Sequence, residues 1–391
     1  MRYDFDTVLN RRCTDSVKWD VKANELPMWV ADMDFKTAPE IINALEQKVQ
    51  NGVFRYEEPH ENYFNAVADW YESQHNFRPN PDWMILTTGV VPTISSVVRR
   101  VTNQGDNVVV QSPVYDIFYH SIENNGRHVL SSDLVYDKKS LSYSIDFGDL
   151  EDKLAQPLST LMILCNPANP VGKIWSRYEL SKIAQLCKKH HVILLSDEIH
   201  GDLTFHDEKY TPAFSLDEDL IDDLIVCVSP SKTFNVAALH AATAIVPNDN
   251  LRAQVSRGIN NDELGEPNLA AIPGTIAAYE YGADWLKHLK AKLLSNYQAV
   301  EQKLKDNPYV KLVPSEATYL LWLDVSALTD NSKELEQYIR QETGLYLSSG
   351  DVYRGDGNYF LRMNIACPST ELKDGLNRLV AGLSKFAQSH K

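Results

Sequence analysis

Three short apolar runs, each followed closely by one polar side chain, limit what this chain can fold into more than any other feature. The runs are rich in Leu, Ile and Val, as is typical of strands buried on both faces of a sheet, and they occupy residues 161–165, 192–195 and 224–228. Asn169 follows the first run, Asp197 the second and Lys232 the third. Ligands bind at the carboxyl ends of the strands in open α/β sheets, so we expect this amide, carboxylate and amine to meet at one edge.

This set of side chains suits one cofactor. A lysine amine can hold pyridoxal 5'-phosphate as a Schiff base, and a carboxylate can keep its pyridine nitrogen protonated so that the ring withdraws electrons. A single lysine after a strand is usually an exposed surface residue, so the prediction depends on the combination. We predict that Lys232 is the Schiff-base lysine and that, once substrate displaces it, its amine takes the Cα proton.

Three longer motifs carry a resemblance to a known family, and they occupy residues 28–35, 197–200 and 229–235. With the strand ends described above, they resemble the fold-type I pyridoxal-phosphate enzymes related to aspartate aminotransferase. Within that group they are similar to the cystathionine β-lyase, or C–S lyase, branch typified by MalY and PatB. The resemblance implies pyridoxal 5'-phosphate as cofactor, cleavage of L-cystathionine and related cysteine S-conjugates, a role in methionine biosynthesis, and a homodimer with shared active sites.

The alternation of apolar runs with helical patterns between residues 83 and 246 predicts an α/β domain with a largely parallel sheet covered by helices on both faces. The resemblance makes this the large domain of fold type I, with seven strands, beside a smaller α+β domain. We assign the N-terminal arm and part of the small domain to residues 1–40, the large cofactor-binding domain to 41–282 and the small C-terminal domain to 283–391. Residues 140–152 are polar, and we expect a surface excursion there.

Charge and composition restrict the partners. The chain has 53 acidic and 38 basic residues, a net charge of −15, which argues against nucleic acid and anionic membranes. No run has the apolar length of a membrane span or a signal peptide, and the five dispersed cysteines lack metal-ligand spacing. We therefore expect a cytoplasmic protein that acts on a small amino acid and binds neither nucleic acid, membrane nor metal.

Three acids compete to bind the pyridine nitrogen, namely Asp197, Glu198 and Asp202, and the family motif selects Asp197 as the first acid after the strand. By the same resemblance, Asn169 bonds the phenolic oxygen of the cofactor and reaches the substrate carboxylate, although asparagines are also common in turns. Tyr115 is assigned to stack on the pyridine ring, its alternative being an ordinary core tyrosine.

A phosphate site is predicted where a strand meets a helix at Gly89, Val90 and Val91. Free backbone amides at a helix start favour an anion, and a glycine lets it approach closely. The hydroxyls of Ser229 and Ser231 are expected to add two donors to the same phosphate.

Three further assignments rest on the resemblance. His240 stands eight residues after Lys232, where aminotransferases carry an arginine, so the bidentate fork of arginine is lost. Phosphate binding then depends more on Tyr56, which the resemblance places in the site of the neighbouring subunit. His200 stands where aminotransferases have a tyrosine, and we assign it to the cofactor without a fixed role. Tyr56 and Tyr115 join Lys232 as predicted catalytic residues.

Arg362 lies in an apolar, strand-like stretch, where a free charge would be prohibitively costly to bury. We predict that it grips the substrate α-carboxylate bidentately, with Asn169 beside it; the alternative is a structural pair with a protein acid. Val30 and Ala31, in the arm motif, are predicted to line the substrate site. Residues 353–357 look like an exposed turn.

The sequence thus predicts a pyridoxal-phosphate-dependent lyase that breaks a carbon–sulfur bond by α,β-elimination and releases a thiol, pyruvate and ammonia. An aminotransferase of the same fold remains open, because the cofactor residues serve both reactions. A regulatory or binding protein that keeps the fold is a further alternative. A nucleotide-dependent dehydrogenase is disfavoured, because no Gly-x-Gly-x-x-Gly follows a predicted strand.

Overall fold

Strands and helices alternate through the first part of the chain, and helices predominate after it. The structure, a computed structural model, describes residues 3–205 and 208–389. In chain order the strands are β1 (Leu26–Pro27), β2 (Met84–Thr87), β3 (Asn107–Val110), β4 (His128–Ser131), β5 (Val135–Asp137), β6 (Ser142–Ser144), β7 (Ser159–Cys165), β8 (Ile193–Asp197), β9 (Leu224–Val228), β10 (Ala242–Ile245), β11 (Lys311–Leu312), β12 (Leu320–Asp324), β13 (Leu345–Tyr346), β14 (Ser348–Ser349) and β15 (Phe360–Asn364). The α-helices are α1 (Pro39–Gln50), α2 (Glu61–His75), α3 (Val90–Val101), α4 (Asp116–Glu123), α5 (Phe147–Leu154), α6 (Arg177–Lys189), α7 (Pro230–Thr233), α8 (Asp249–Asn261), α9 (Ala271–Tyr281), α10 (Ala283–Leu304), α11 (Ser332–Thr343) and α12 (Ser369–Ser389).

Seven strands form the central sheet in the spatial order β2-β10-β9-β8-β7-β3-β4. Neighbouring strands are parallel except where β10 is involved, because β10 runs antiparallel to both β2 and β9. The predicted α/β class, with a mostly parallel seven-stranded sheet, is confirmed.

Helices cover both faces of this sheet, as successive residues of β7 show. Leu161 and Ile163 belong to a hydrophobic cluster that includes residues of α3, α4 and α8. Met162 and Leu164 belong to a second cluster on the other face. Side chains alternate along a strand, so a strand with both faces covered must be apolar at every position. This explains the unbroken apolar runs in the sequence.

The register of the sheet brings the predicted site residues to one edge. Cys165 at the end of β7 lies opposite Asp197 at the end of β8, and Asp197 lies opposite Cys227 near the end of β9. The loops that carry Asn169 and Lys232 therefore leave the sheet on either side of Asp197.

A second, antiparallel sheet has the order β11-β12-β15-β14, and its register places Arg362 opposite Trp322 and Ser348. An extended arm precedes α1, and its strand β1 pairs in parallel with β13. The Met28 carbonyl then accepts from the Asn364 amide of β15 at 2.8 Å, and the Met33 amide donates to Asn235 Oδ1, in the loop that follows α7, at 2.9 Å.

Residues 140–152 are not the polar surface excursion that the sequence suggested. Strand β6 pairs with β5, α5 begins at Phe147, and the side chains of Tyr143 and Leu150 are buried. The Tyr143 hydroxyl accepts a hydrogen bond from Trp322 Nε1 at 3.1 Å and lies 3.0 Å from the Asp356 carboxylate. The many polar residues of this segment conceal a few large apolar ones, and these determine its packing.

Within the part of the chain that the structure describes, no helix combines the length and the apolar character needed to cross a bilayer. Within the same residues, no group of three or more His, Cys, Asp or Glu side chains is placed to hold a metal ion.

Candidate active site

Lys232 lies in the one-turn helix α7, which starts two residues after β9 ends. Ser229 caps this helix by accepting a hydrogen bond from the Ser231 amide at 3.1 Å. The Lys232 amine donates to the Ala31 carbonyl of the arm at 2.7 Å. Burial, and to a lesser extent the charge of Arg362, lowers the pKa of Lys232 to about 8. Its amine therefore becomes a free base far more readily than an exposed lysine does.

Asp197 is a buried carboxylate with unused acceptor capacity. In the described chain its side chain accepts one hydrogen bond, from the Ile199 amide at 3.1 Å. Burial raises the pKa of Asp197 to about 7, and the nearby Lys232 charge partly offsets this. A carboxyl in this setting gains from a cationic N–H donor, which is what a protonated pyridine nitrogen provides.

Glu198 and Asp202, the two competing acids, are already occupied. The donors to Glu198 are Ser196 Oγ, Asn166 Nδ2, the Ala213 amide and the Tyr210 hydroxyl. The donors to Asp202 are Trp70 Nε1, His75 Nε2 and Thr233 Oγ1. A carboxylate with three or four protein donors has little capacity left for a ligand. The geometry therefore supports Asp197, as the family motif did.

Arg362 is buried in β15 without an acidic partner. Its Nη1 donates to Asn169 Oδ1 at 3.1 Å and its Nη2 to the Trp29 carbonyl at 2.9 Å, while the guanidinium lies 4.9 Å from the centre of the Tyr353 ring. Its Nε has no hydrogen-bond partner in the described chain, and no ion pair between Arg362 and an acid exists there. The alternative of a structural pair with a protein acid is therefore not realised, and the charge is available to a ligand carboxylate.

His200 is buried close to the two site cations. Burial, and to a lesser extent the charges of Lys232 and Arg362, lowers the pKa of His200 to about 3. Its Nδ1 has no hydrogen-bond partner in the described chain. His200 is therefore a neutral imidazole with an unsatisfied nitrogen, which fits a cofactor contact; its role stays a prediction.

Tyr115 precedes α4 and is partly buried. Burial and the Asp116 charge raise the pKa of Tyr115, and the Arg362 charge lowers it. Its stacking on the cofactor stays a prediction.

The predicted phosphate residues converge on the same edge. Gly89 is the residue before α3, and its φ of +154° lies in a region that favours glycine. Thr87 and Val228 pair with the adjacent residues Ala242 and Thr243 of β10, so the loops after β2 and β9 open side by side. Unpaired amides at the start of α3 therefore face the same region as the serine loop.

The hydroxyls of that serine loop are linked to each other. The Ser229 hydroxyl lies 2.8 Å from the Ser231 hydroxyl and 2.7 Å from the Ala241 carbonyl. His240 and Tyr56, by contrast, are exposed in the single chain, Tyr56 by 93%. Neither contributes to a closed site within one subunit.

Sequence reasoning did not foresee how the arm is held. The carbonyls of residues 29–33 all accept hydrogen bonds from side chains. The donors are Arg362 to Trp29, Asn364 to Val30 and Asp32, Lys232 and Tyr319 to Ala31, and Asn235 to Met33. The spacing of Arg362 and Asn364 could have indicated part of this arrangement, because residues two apart on one strand lie on the same face. The predicted substrate residues Val30 and Ala31 are thereby fixed beside Lys232 and Arg362.

Tyr353 was also missed, because residues 353–357 look like an exposed turn in the sequence. Tyr353 is only 2% exposed, whereas Arg354 beside it is exposed and pairs with Glu123 at 2.8 Å. The Tyr119 hydroxyl donates to the Tyr353 carbonyl at 2.6 Å, which holds the ring against Arg362. A residue between exposed turn residues can thus still belong to the core.

The residues present fit pyridoxal 5'-phosphate. Its aldehyde needs an amine of lowered pKa, its ring nitrogen a buried carboxylate and its phosphate a helix start with free amides; Lys232, Asp197 and Gly89 meet these needs. The unpartnered Nδ1 of His200 and Nε of Arg362 are the buried orphan atoms expected beside a ligand site.

The fold and site define a fold-type I enzyme, and comparison with known proteins supports this. The chain matches the family "aminotransferase class I and II" over residues 24–379 and belongs to it. Cystathionine beta-lyase PatB of Bacillus subtilis is 42% identical over 389 residues, which cover 97% of this chain and all of PatB. Protein MalY of Escherichia coli is 33% identical and covers 97% of this chain and 98% of MalY.

Solved structures agree. Cystalysin from Treponema denticola, which contains pyridoxal 5'-phosphate, has a TM-score of 0.93 and 32% identity over 98% of this chain and all of cystalysin. The pyridoxal-phosphate-bound C–S lyase from Staphylococcus hominis has a TM-score of 0.90 and 28% identity over 98% of this chain and 99% of that one. The predicted family, its C–S lyase branch, the fold type and the pyridoxal 5'-phosphate cofactor are confirmed.

Proposed function

We propose that this protein is a pyridoxal-phosphate-dependent carbon–sulfur β-lyase that cleaves L-cystathionine and related cysteine S-conjugates. The products are a thiol (homocysteine from cystathionine), pyruvate and ammonia. The buried Arg362, which has no acidic partner in the described chain, is the observation that carries the proposal, because it calls for the carboxylate of an amino acid. The cystathionine β-lyase PatB, similar over its whole length, supports the choice of substrate class.

The substrate carboxylate would bind between Arg362 and Asn169. Their side chains are already 3.1 Å apart, so the amide holds the guanidinium in place before the ligand arrives. A guanidinium binds a carboxylate through two parallel N–H bonds, which fixes orientation as well as position. The Cα–H of the bound amino acid would then lie on the side of Lys232.

Lys232 would remove the Cα proton. Its pKa of about 8 makes the free amine accessible near neutral pH, and the Ala31 carbonyl aligns it from the arm. When bound, pyridoxal 5'-phosphate supplies an electron sink for the charge left at Cα. Asp197 would hold the proton on the pyridine nitrogen that makes this sink effective. The Cβ–S bond then breaks, the thiolate leaves with the bonding pair, and hydrolysis of the remaining enamine gives pyruvate and ammonia.

An aminotransferase of the same fold would share the steps up to proton removal. His200 and His240 favour the lyase by family resemblance alone, since they stand where aminotransferases carry a tyrosine and an arginine. The two activities differ in their products, not in their cofactor residues.

Product analysis tests the proposal. The purified, cofactor-loaded protein is mixed with L-cystathionine, and pyruvate and free thiol are followed together. We expect equal release of both. Conversion of an added keto acid into its amino acid, without pyruvate or thiol release from cystathionine, would establish an aminotransferase instead. Absence of both reactions would favour a regulatory or binding role.

We further propose a cytoplasmic homodimer whose active sites are shared between subunits. Residues 53–56 expose three large apolar side chains, Val53, Phe54 and Tyr56, which is unusual for a surface that stays free. Phe54 and Tyr56 border a groove of about 1020 Å³ whose other wall includes Glu263 and residues 265–269. That wall is close to the phosphate end of the site, because the Thr88 amide donates to the Leu264 carbonyl at 3.1 Å. A second copy seated there would bring its Tyr56 to this phosphate.

A further inference from the structure

Asp202 is a buried carboxylate that the chemistry above does not use. Two donors meet its Oδ1, Trp70 Nε1 at 3.1 Å and His75 Nε2 at 2.8 Å. Its Oδ2 accepts from the Thr233 hydroxyl at 2.8 Å. These three donors, two from α2 and one from α7, hold the carboxylate in one position.

The third of these donors adjoins the predicted Schiff-base lysine. Thr233 is the last residue of α7, its side chain is 1% exposed, and Lys232 immediately precedes it. A helix of one turn cannot maintain its own geometry, because forming the first turn is unfavourable on its own. The backbone at Lys232 therefore depends on its anchors, which are Ser229 on one side and the Thr233–Asp202 hydrogen bond on the other.

The position of Asp202 explains why a carboxylate is suited to this task. A cavity of about 760 Å³ lies beside this carboxylate and is lined by His75, Asp202 and Lys287 among other residues. Water in that cavity could compete for a weakly held hydroxyl. A carboxylate makes a stronger, charge-assisted bond to Thr233 than a neutral acceptor would, and His75 and Trp70 hold it in place.

We propose that Asp202 is a positioning residue which, through Thr233, holds the Lys232 amine where it can join the cofactor aldehyde. In that step the amine nitrogen forms a bond to the aldehyde carbon and one water leaves. The proposal rests on the proposed role of Lys232 and adds that Asp202, through Thr233, sets the position of the Lys232 amine.

Linkage and binding of the cofactor can be measured separately. Apoprotein is mixed with pyridoxal 5'-phosphate, and the growth of the visible absorption band of the lysine-linked cofactor gives the linkage rate. Pyridoxamine phosphate, which has an amine in place of the aldehyde and cannot link, gives the non-covalent dissociation constant. Thr233→Val removes the hydroxyl and Thr233→Ser keeps it. Thr243→Val is the matched control, since Thr243 is also buried and its hydroxyl lies 2.9 Å from that of Tyr63 in α2.

We expect Thr233→Val to slow linkage by at least about tenfold, because displacing a reacting group by 1 Å costs on the order of a hundredfold. Its affinity for pyridoxamine phosphate should stay within about twofold of wild type, and Thr233→Ser and Thr243→Val should retain both values. An unchanged linkage rate in Thr233→Val would overturn the proposal, as would a parallel loss of rate and affinity.

Asp202→Asn provides a second test should Thr233→Val not fold. It keeps the shape of the side chain but replaces the carboxylate by a neutral amide, so linkage should again slow while pyridoxamine phosphate still binds. Linkage at the wild-type rate would count against the proposal. No amino-acid substrate is present in these measurements, so they stand apart from the lyase assay: a wild-type protein that links the cofactor but releases no pyruvate contradicts the proposed function alone.

Discussion

Carboxylates at the end of β8 illustrate the residue scale, where hydrogen-bond partners decide what a side chain can do. Asp197 has one donor in the described chain, whereas Glu198 has four and Asp202 three. The acid with the fewest partners is the one able to bind a ligand, and the others hold neighbouring loops. Among the cations, Arg362 follows the same rule, because its Nε has no hydrogen-bond partner in the described chain.

Lys232→Ala should abolish both the visible absorption band of the lysine-linked cofactor and turnover, because it removes the buried amine proposed to form the link. Absorbance spectra and pyruvate release measure the two effects. Lys173→Ala is a suitable control, since Lys173 pairs with Glu316 at the surface side of the turn that follows β7. A Lys232→Ala protein with the wild-type spectrum would show that another lysine binds the cofactor.

Arg362→Ala should weaken binding of amino-acid ligands by roughly 1.5–3 kcal/mol, the range for hydrogen bonds to charged groups. The dissociation constant of an unreactive amino-acid inhibitor measures the loss. Arg354→Ala removes a nearby arginine whose charge is already paired with Glu123, and it should change that constant little. Unaltered affinity in Arg362→Ala would make Arg362 a structural residue.

Sequence motifs indicated Lys232, Asp197, Asn169 and Arg362 because each follows or lies within a recognisable apolar strand. Contacts such as the hydrogen bond from the Tyr119 hydroxyl to the Tyr353 carbonyl could not be predicted in the same way. They join residues far apart in the chain, and their partners are set by the tertiary packing of distant elements.

At the scale of elements, burial decides more than local polarity. Strand β6 and helix α5 form from a segment that is mostly polar, because Tyr143 and Leu150 supply enough buried surface to dock it. Helix α11 shows the opposite case, an acid on a buried face: Glu336 is 8% exposed, and its Oε1 has no hydrogen-bond partner in the described chain.

Glu336→Gln should flatten the dependence of stability on pH. Burial raises the folded-state pKa of Glu336 from 4.5 to about 7, so between these values the folded protein binds a proton that the unfolded chain does not. This contribution to stability is complete below pH 4.5 and is lost as the pH rises through 7. The stability of the variant minus that of wild type should therefore be about 3 kcal/mol higher at pH 8 than at pH 4.5, at 1.36 kcal/mol per pKa unit.

Urea unfolding at several pH values measures that change. Glu342→Gln is the control, because Glu342 lies on the same helix but is exposed and pairs with Lys385 at 3.0 Å. An identical slope of the free energy of unfolding against pH in wild type and Glu336→Gln would refute the assignment.

On the scale of the whole molecule, the sequence predicted the number of strands and their mostly parallel direction, but not their spatial order. Strand β10 follows β9 in the chain and yet lies between β9 and β2, so it separates strands that run the same way. Adjacency of this kind depends on pairing between distant segments, which local periodicity does not record. The role proposed for the exposed Tyr56 likewise requires a second subunit.

Mixing two inactive variants tests the proposed dimer. Lys232→Ala and Tyr56→Ala should each be inactive or nearly so alone, but a mixed dimer contains one site with an intact Lys232 and an intact Tyr56 from the other subunit. Random one-to-one exchange should then restore about a quarter of the wild-type sites. Pyruvate release after unfolding and refolding the mixture measures this, with each variant refolded alone as control. No recovery, although mixed dimers form, would place Tyr56 outside the site of the partner.

The way in which the arm is held affects how the pocket can evolve. Its position is fixed through the carbonyls of residues 29–33, and every residue type has a carbonyl. The side chains of Val30 and Ala31 are therefore not needed to keep the arm in place. We propose that both residues line the substrate pocket, so substitutions there would reshape its wall while the backbone stays where it is, and a preference for a new thioether could arise without rebuilding the site.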